Sequence, residues 1–223
     1  AAAPSTRTAH LGAPRRPPCT PLTMRAASWP NDGWSTSRTR RSASSASATW
    51  SISRNSSDGI RILAANGGRV DGNLINNNIS ENLGDGAALI IDNGGTLNFG
   101  SAANKEVISR NTINGNVGAG LRLTSNVTPV SMGTLNALVQ GNTISANAGG
   151  GIVSQLTGLH SFPPINNSLN LTVNDASYLD LTAAQNRNYI TGNSDVGIGV
   201  NVGGNGLANV VLNNVSVTGT LDG

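Results

Sequence analysis

Residues 111–123 read NTINGNVGAGLRL, and residues 142–153 read NTISANAGGGIV. Each line sets Asn, then Ile two residues on, a second Asn three further, and Gly four beyond that. With Asn116 as the anchor, the same surroundings recur around Asn55, Asn82, Asn147 and Asn193. Three residues before the anchors stand Ile52, Ile79, Ile113, Ile144 and Ile190; four after them stand Gly59, Gly86, Gly120, Gly151 and Gly197. The residue following each Gly is apolar: Ile60, Ala87, Leu121, Ile152 and Ile198. Asn77, Asn111, Asn142 and Asn188 lie five residues ahead of their anchors, and Trp50 takes that place in the first copy. The unit N-x-I-x-x-N-x-x-x-G is therefore written five times, at intervals of 27, 34, 31 and 46 residues, so its extra length belongs in loops. A degraded sixth copy is read at 213–223, with Asn213, Val215, Thr218 and Gly223 in the corresponding places.

Runs such as GLRLT and GIVS allow only a few residues of extended chain before Asn or Gly interrupts. Asn tolerates the left-handed backbone region and Gly reaches positive φ without steric cost, so both are read as corners. Helical spacing is absent. Short extended pieces between repeated corners describe a coil, and like positions of successive coils stack about 4.8 Å apart, Ile on Ile and Asn on Asn. One copy cannot stand alone. Burying an Ile or Leu is worth roughly 1.5–3 kcal/mol, whereas ordering each residue costs about 1–2 kcal/mol. Stacked neighbours must share their apolar faces and strand edges.

At these residues the chain resembles a right-handed parallel β-helix of the pectin-lyase-like type, over about 51–223. The resemblance implies an all-β solenoid of about five to six coils, with an asparagine ladder at a corner. It also implies an exported or cell-surface protein that contacts polysaccharide or serves as a spacer. A β-sandwich of short strands is the alternative fold. Helical and leucine-rich repeats lack their patterns here. A calcium-binding nonapeptide reading of GGNGLANVV (203–211) fails because Ala208 stands where the ligand Asp belongs.

Residues 1–50 are different in kind. They carry seven arginines against one acid, a formal +6, whereas residues 51–223 carry −3. The basic balance belongs to the head alone, and an inference to nucleic-acid binding from overall charge is unsafe. The head lacks Val, Ile, Phe and Tyr but holds all three tryptophans, the only cysteine (Cys19) and six of the nine prolines. PRRPPCTP and RTRRSASSASA show no period of 2 or 3.6, so disorder is expected. Three readings fit the head: a flexible basic linker, a stretch translated out of frame before Trp50, or a basic arm for an anionic surface. No apolar run reaches the ~18 residues of a membrane span, and no signal peptide is legible. One cysteine excludes an internal disulfide framework.

Chemistry-bearing residues are few. The N-T-D, D-D, G-H-G and R-I-K elements of polygalacturonase-like enzymes are each broken: Ile113 follows Asn111-Thr112, no two acids adjoin, Leu159 and Ser161 flank His160, and Leu63 follows Arg61-Ile62. Asp58 and Asp85 both stand three residues past their anchors, which stacks them on neighbouring coils. Such a pair repels unless a cation or proton intervenes, so it is read as a weak calcium or sugar-hydroxyl candidate against a solvated corner. Arg61 and Arg122 share the sixth place after their anchors and form a sparse basic row. The long insert at 156–186 contributes His160 and Tyr178 as further weak ligand candidates, alongside Asp175 and Asp180. The function expected is a non-catalytic structural or glycan-binding segment, with no cofactor and no resident metal. A polysaccharide lyase or glycoside hydrolase with a degenerate or truncated site is the alternative, and enzyme status stays open between the two. Polysaccharide and end-to-end self-association are the expected contacts; nucleic acid and membrane insertion are not.

Overall fold

A computed structural model describes residues 50–100, 106–125, 131–158, 166–174 and 187–219, together with the main chain of 22–26. Among these residues there is no helix, and the strands form three parallel sheets. The first sheet holds six short strands: Ser51–Ser53, Asn78–Ser80, Thr112–Asn114, Thr143–Ser145, Tyr189–Thr191 and Ser216–Thr218. The second opens after each repeat Gly: Ile60–Ala65, Ala87–Asp92, Leu121–Ser125, Ile152–Thr157 and Ile198–Gly203. The third runs through Arg69–Asp71, Thr96–Phe99, Thr134–Gln140, Ser168–Val173 and Leu207–Leu212. Leu74–Ile75 and Ile108–Ser109 continue it beside Val139 and Gln140. The chain visits the sheets in that order on each turn, which makes it a parallel β-helix.

The register is in step throughout. Ile52, Ile79, Ile113, Ile144 and Ile190 are successive partners along one column. That column runs down the interior, where it meets Leu89, Leu121 and Leu123 from the second sheet and Leu97, Leu135, Leu169 and Phe99 from the third. Stacking identical β-branched side chains fills the interior with one repeated shape, which suits the pleated, half-buried surface.

Three expectations change. Leu22–Ala26 in the head is a strand, parallel to Ile60–Ala64, with Leu22, Met24 and Ala26 beside Ile60, Ile62 and Ala64. The apolar alternation of LTMRA is its signal, too short to register in a segment otherwise without period. The rest of the head, 1–21 and 27–49, lies outside the described residues. The sixth copy is also shifted by two: Val217, not Val215, pairs with Ile190. Finally, 156–186 is not one insert. Leu156 and Thr157 finish a second-sheet strand, and Ser168–Val173 is the third-sheet strand of the same coil, so the added length falls outside the described residues at 159–165 and 175–186.

The expectation that Asn and Gly adopt positive φ holds at other corners, as at Asn66, Gly67, Asn93 and Gly94, but not at the anchor Asn or the repeat Gly. The left-handed residue is the one before the anchor: Arg54, Glu81, Gly115, Ala146 and Gly192 have φ of 58°, 55°, 64°, 53° and 62°. The repeat Gly has another cause. A Cβ on Gly59 would come within 2.7 Å of Ile79 Cγ2, Asn82 Nδ2 and the Gly86 carbonyl of the next coil. Gly86 and Gly120 are closed in by the same three groups one coil further on.

Candidate functional site

The interior polar groups decide what remains free for function. Asn55, Asn82, Asn116, Asn147 and Asn193 form a ladder in which each Nδ2 donates to the next Oδ1, at 2.8, 2.8, 2.8 and 3.0 Å. Each anchor's backbone N–H donates to the same oxygen at 3.0–3.1 Å. From the second rung on, the other Nδ2 hydrogen reaches back to an Ile carbonyl of the preceding coil, as from Asn147 to Ile113 at 3.2 Å. A second ladder joins Asn77, Asn111, Asn142 and Asn188 on the opposite side of the short strands, at 2.9, 2.9 and 3.1 Å. These rungs are buried and the interior ones are fully bonded, which is the condition for polar groups in a core to stabilise it. Their role is structural. Asn55 Oδ1 differs: it is buried without a partner, because the ladder has no earlier rung among the described residues.

Asp58 and Asp85 do lie on neighbouring coils, but not solvated; each residue is 8% exposed. Asp58 Oδ1 accepts the Asp85 N–H at 2.9 Å, and Asp85 Oδ1 accepts the Ala119 N–H at 2.7 Å. Arg61 Nη1 stands 3.2 Å from Asp58 Oδ2, and Arg122 reaches back one coil to place Nε 2.5 Å from Asp85 Oδ2. Gly84 and Gly118 leave the room these carboxylates occupy, since a Cβ on either would overlap the facing Oδ1. The four candidates Asp58, Asp85, Arg61 and Arg122 are thus brought together as two corner clamps. The supposed basic row is folded onto the acids, with Ala88 between the two arginines in register. A calcium ion here would have to displace two guanidinium groups. Among the described residues no cluster of three His, Cys, Asp or Glu could hold a metal ion. His160 and Tyr178 lie outside the described residues.

Exposed ion pairs also link described residues on the surface. Arg54 Nε sits 2.7 Å from Glu81 Oε2 across adjacent coils, and this hydrogen bond holds the Arg54 guanidinium above its ordinary range. Arg69 is raised in the same way by Asp71.

The short strands also present an ordered polar surface, on which none of the candidate residues above lies. In the short strands Ile points inward, so the residues on either side point outward. These form two columns: Ser51, Asn78, Thr112, Thr143, Tyr189, Ser216, and Ser53, Ser80, Asn114, Ser145, Thr191, Thr218. All twelve are polar and none is charged. The signal was present in the repeat itself, where the places flanking each Ile read S-I-S, N-I-S, T-I-N, T-I-S and Y-I-T. Of the twelve side chains, only Thr218 and Thr191 hydrogen-bond each other, at 3.2 Å. A shallow depression bordered by Asn76, Asn77, Asn78, Arg110 and Thr112 opens beside the first column.

The fold and its two ladders define a parallel β-helix solenoid. Comparison of the chain with protein-family models, curated proteins and solved structures returned no match. Among the described residues no helix is long and apolar enough to cross a membrane.

Proposed function

We propose that the chain is a rigid, non-catalytic β-helix segment of an exported or cell-surface protein, acting as a scaffold with a glycan-binding surface. The observation that carries this reading is the state of the two stacked carboxylates. Each of Asp58 and Asp85 spends one oxygen on a main-chain N–H of the next coil and the other on a guanidinium. A carboxyl pair for glycoside hydrolysis must instead face a substrate bond with one member free to protonate and the other to activate water. The extracellular setting rests on resemblance to polysaccharide-contacting β-helices.

The test is a glycan array with the full chain, followed by reducing-end and unsaturated-sugar assays with and without calcium. Binding without turnover is expected. Turnover abolished by Asp58→Ala or Asp85→Ala, in protein that still folds, would replace this reading with a polysaccharide lyase or hydrolase.

End-to-end self-association is proposed as well. Leu212 and Val217, on the last described strands of the third and first sheets, continue the buried columns of Val173 and Ile190 yet are 53% and 44% exposed. Such edges pair with other edges. Sedimentation should show concentration-dependent species; a monomer at high concentration counts against it.

A further inference from the structure

The twelve-position face of the short strands has a period, a composition and a set of unused hydrogen-bonding groups that the solenoid itself does not need. Inside the coil every ladder position is constrained by its neighbours, but the outward places carry no such demand. A charged residue is a common way to keep an exposed strand soluble and unpaired. Six strands pass without one. The charges stand at the rims instead, where Arg54 and Glu81 neutralise each other on one side and Arg110 lies on the other.

We propose that this face binds a neutral, extended polysaccharide laid along the solenoid axis. The proposal rests on the glycan-binding reading above and assigns it a surface and a substrate class. Neutrality follows from charge: an acidic polymer needs a row of cations, and the face offers none. The direction follows from spacing. Hydroxyl and amide groups repeat about every 4.8 Å along each column, and the two columns stand about 6.6 Å apart. An extended chain of pyranose rings advances by nearly one coil per ring and presents hydroxyls along both edges, so the two columns can meet both edges in step. Donors and acceptors are available because ten of the twelve side chains make no hydrogen bond of their own. Aromatic placement adds a separate pointer. Tyr189 interrupts the first column and is 45% exposed. Aromatic residues are only 3% of the chain, and an exposed ring with a polar tip suits the apolar face of a sugar.

Co-sedimentation of the full chain with swollen cellulose and with chitin, and affinity electrophoresis in polygalacturonate, tests this. Variants are Tyr189→Ala and the pair Thr112→Lys with Thr143→Lys, against Thr172→Lys on the outer surface of the third sheet as control. Circular dichroism confirms that each folds. Retention by a neutral glycan, weakened about tenfold by either face variant and unchanged by the control, is the expected result. Neutral-glycan binding that ignores the face variants overturns this surface and leaves the glycan-binding reading standing. Preference for polygalacturonate overturns the neutral class. Failure to bind any of the three polymers, on the array or here, overturns the glycan-binding reading and this inference with it.

Discussion

Asn116 shows how much one side chain carries. It accepts two hydrogen bonds from Asn82 and donates to Asn147 and to the Ile79 carbonyl. Asn116→Ala leaves buried donors on Asn82 without an acceptor and Asn147 Oδ1 short of a donor, at about 1–3 kcal/mol for each unsatisfied group. Asn55→Ala removes a rung whose Oδ1 has no partner, so its cost should stay near 1 kcal/mol. Chemical denaturation of the two variants should separate them clearly; equal losses would mean that the ladder is not cooperative. The glycines divide in the same way. Gly86→Ala drives a methyl into Ile113 and the Gly120 carbonyl, an overpacking worth about 1–3 kcal/mol. Gly67 has open space around it, and an Ala there suffers only from its φ of 71°. Ala146, held at φ 53° with a Cβ, should be improved by Gly: a gain of about 0.5–1 kcal/mol in Ala146→Gly is expected on the same denaturation curve.

At the scale of elements, the corner clamps predict a structural rather than catalytic phenotype. Asp85→Ala frees the Ala119 N–H and the Arg122 guanidinium together, and the melting temperature should fall whether or not calcium is present. Calcium that raises the melting temperature of the unaltered protein, with the rise lost in this variant, would overturn the clamp. The same elements show what could be read from the sequence. Ile, Asn and Gly recur because each touches its counterpart in the next coil, so coil number, interior column and ladder were all legible. The pairing of Asp58 and Asp85 was legible too, but not their engagement with Arg61 and Arg122, since one arginine stays in its coil and the other reaches back. The third sheet left little trace: its strands vary from three to seven residues, and their distance from the anchor shifts in the third and fourth coils. Val217 was misplaced because Val215, two residues after Asn213, fits the written motif better. The Gly was recognised for the wrong reason, since a collision with another coil cannot be seen along one strand of text.

For the whole molecule, stability should be graded along the axis. In the third sheet the inward column runs from Leu135 and Leu169, 0% and 1% exposed, to Ala208, which is exposed. In a solenoid each coil gains from both neighbours, so hydrogen exchange should be slowest near Ile113 and Ile144 and fastest across 198–218. Uniform protection would indicate that the molecule opens as one unit. The ladders also give the rod a sense of direction. Every linking amide in both rows donates the same way, from earlier coil to later, so the side-chain dipoles add instead of cancelling. Such a polarised filament can be extended only with its sense preserved, because each new rung must accept from the coil before it and donate to the coil after it.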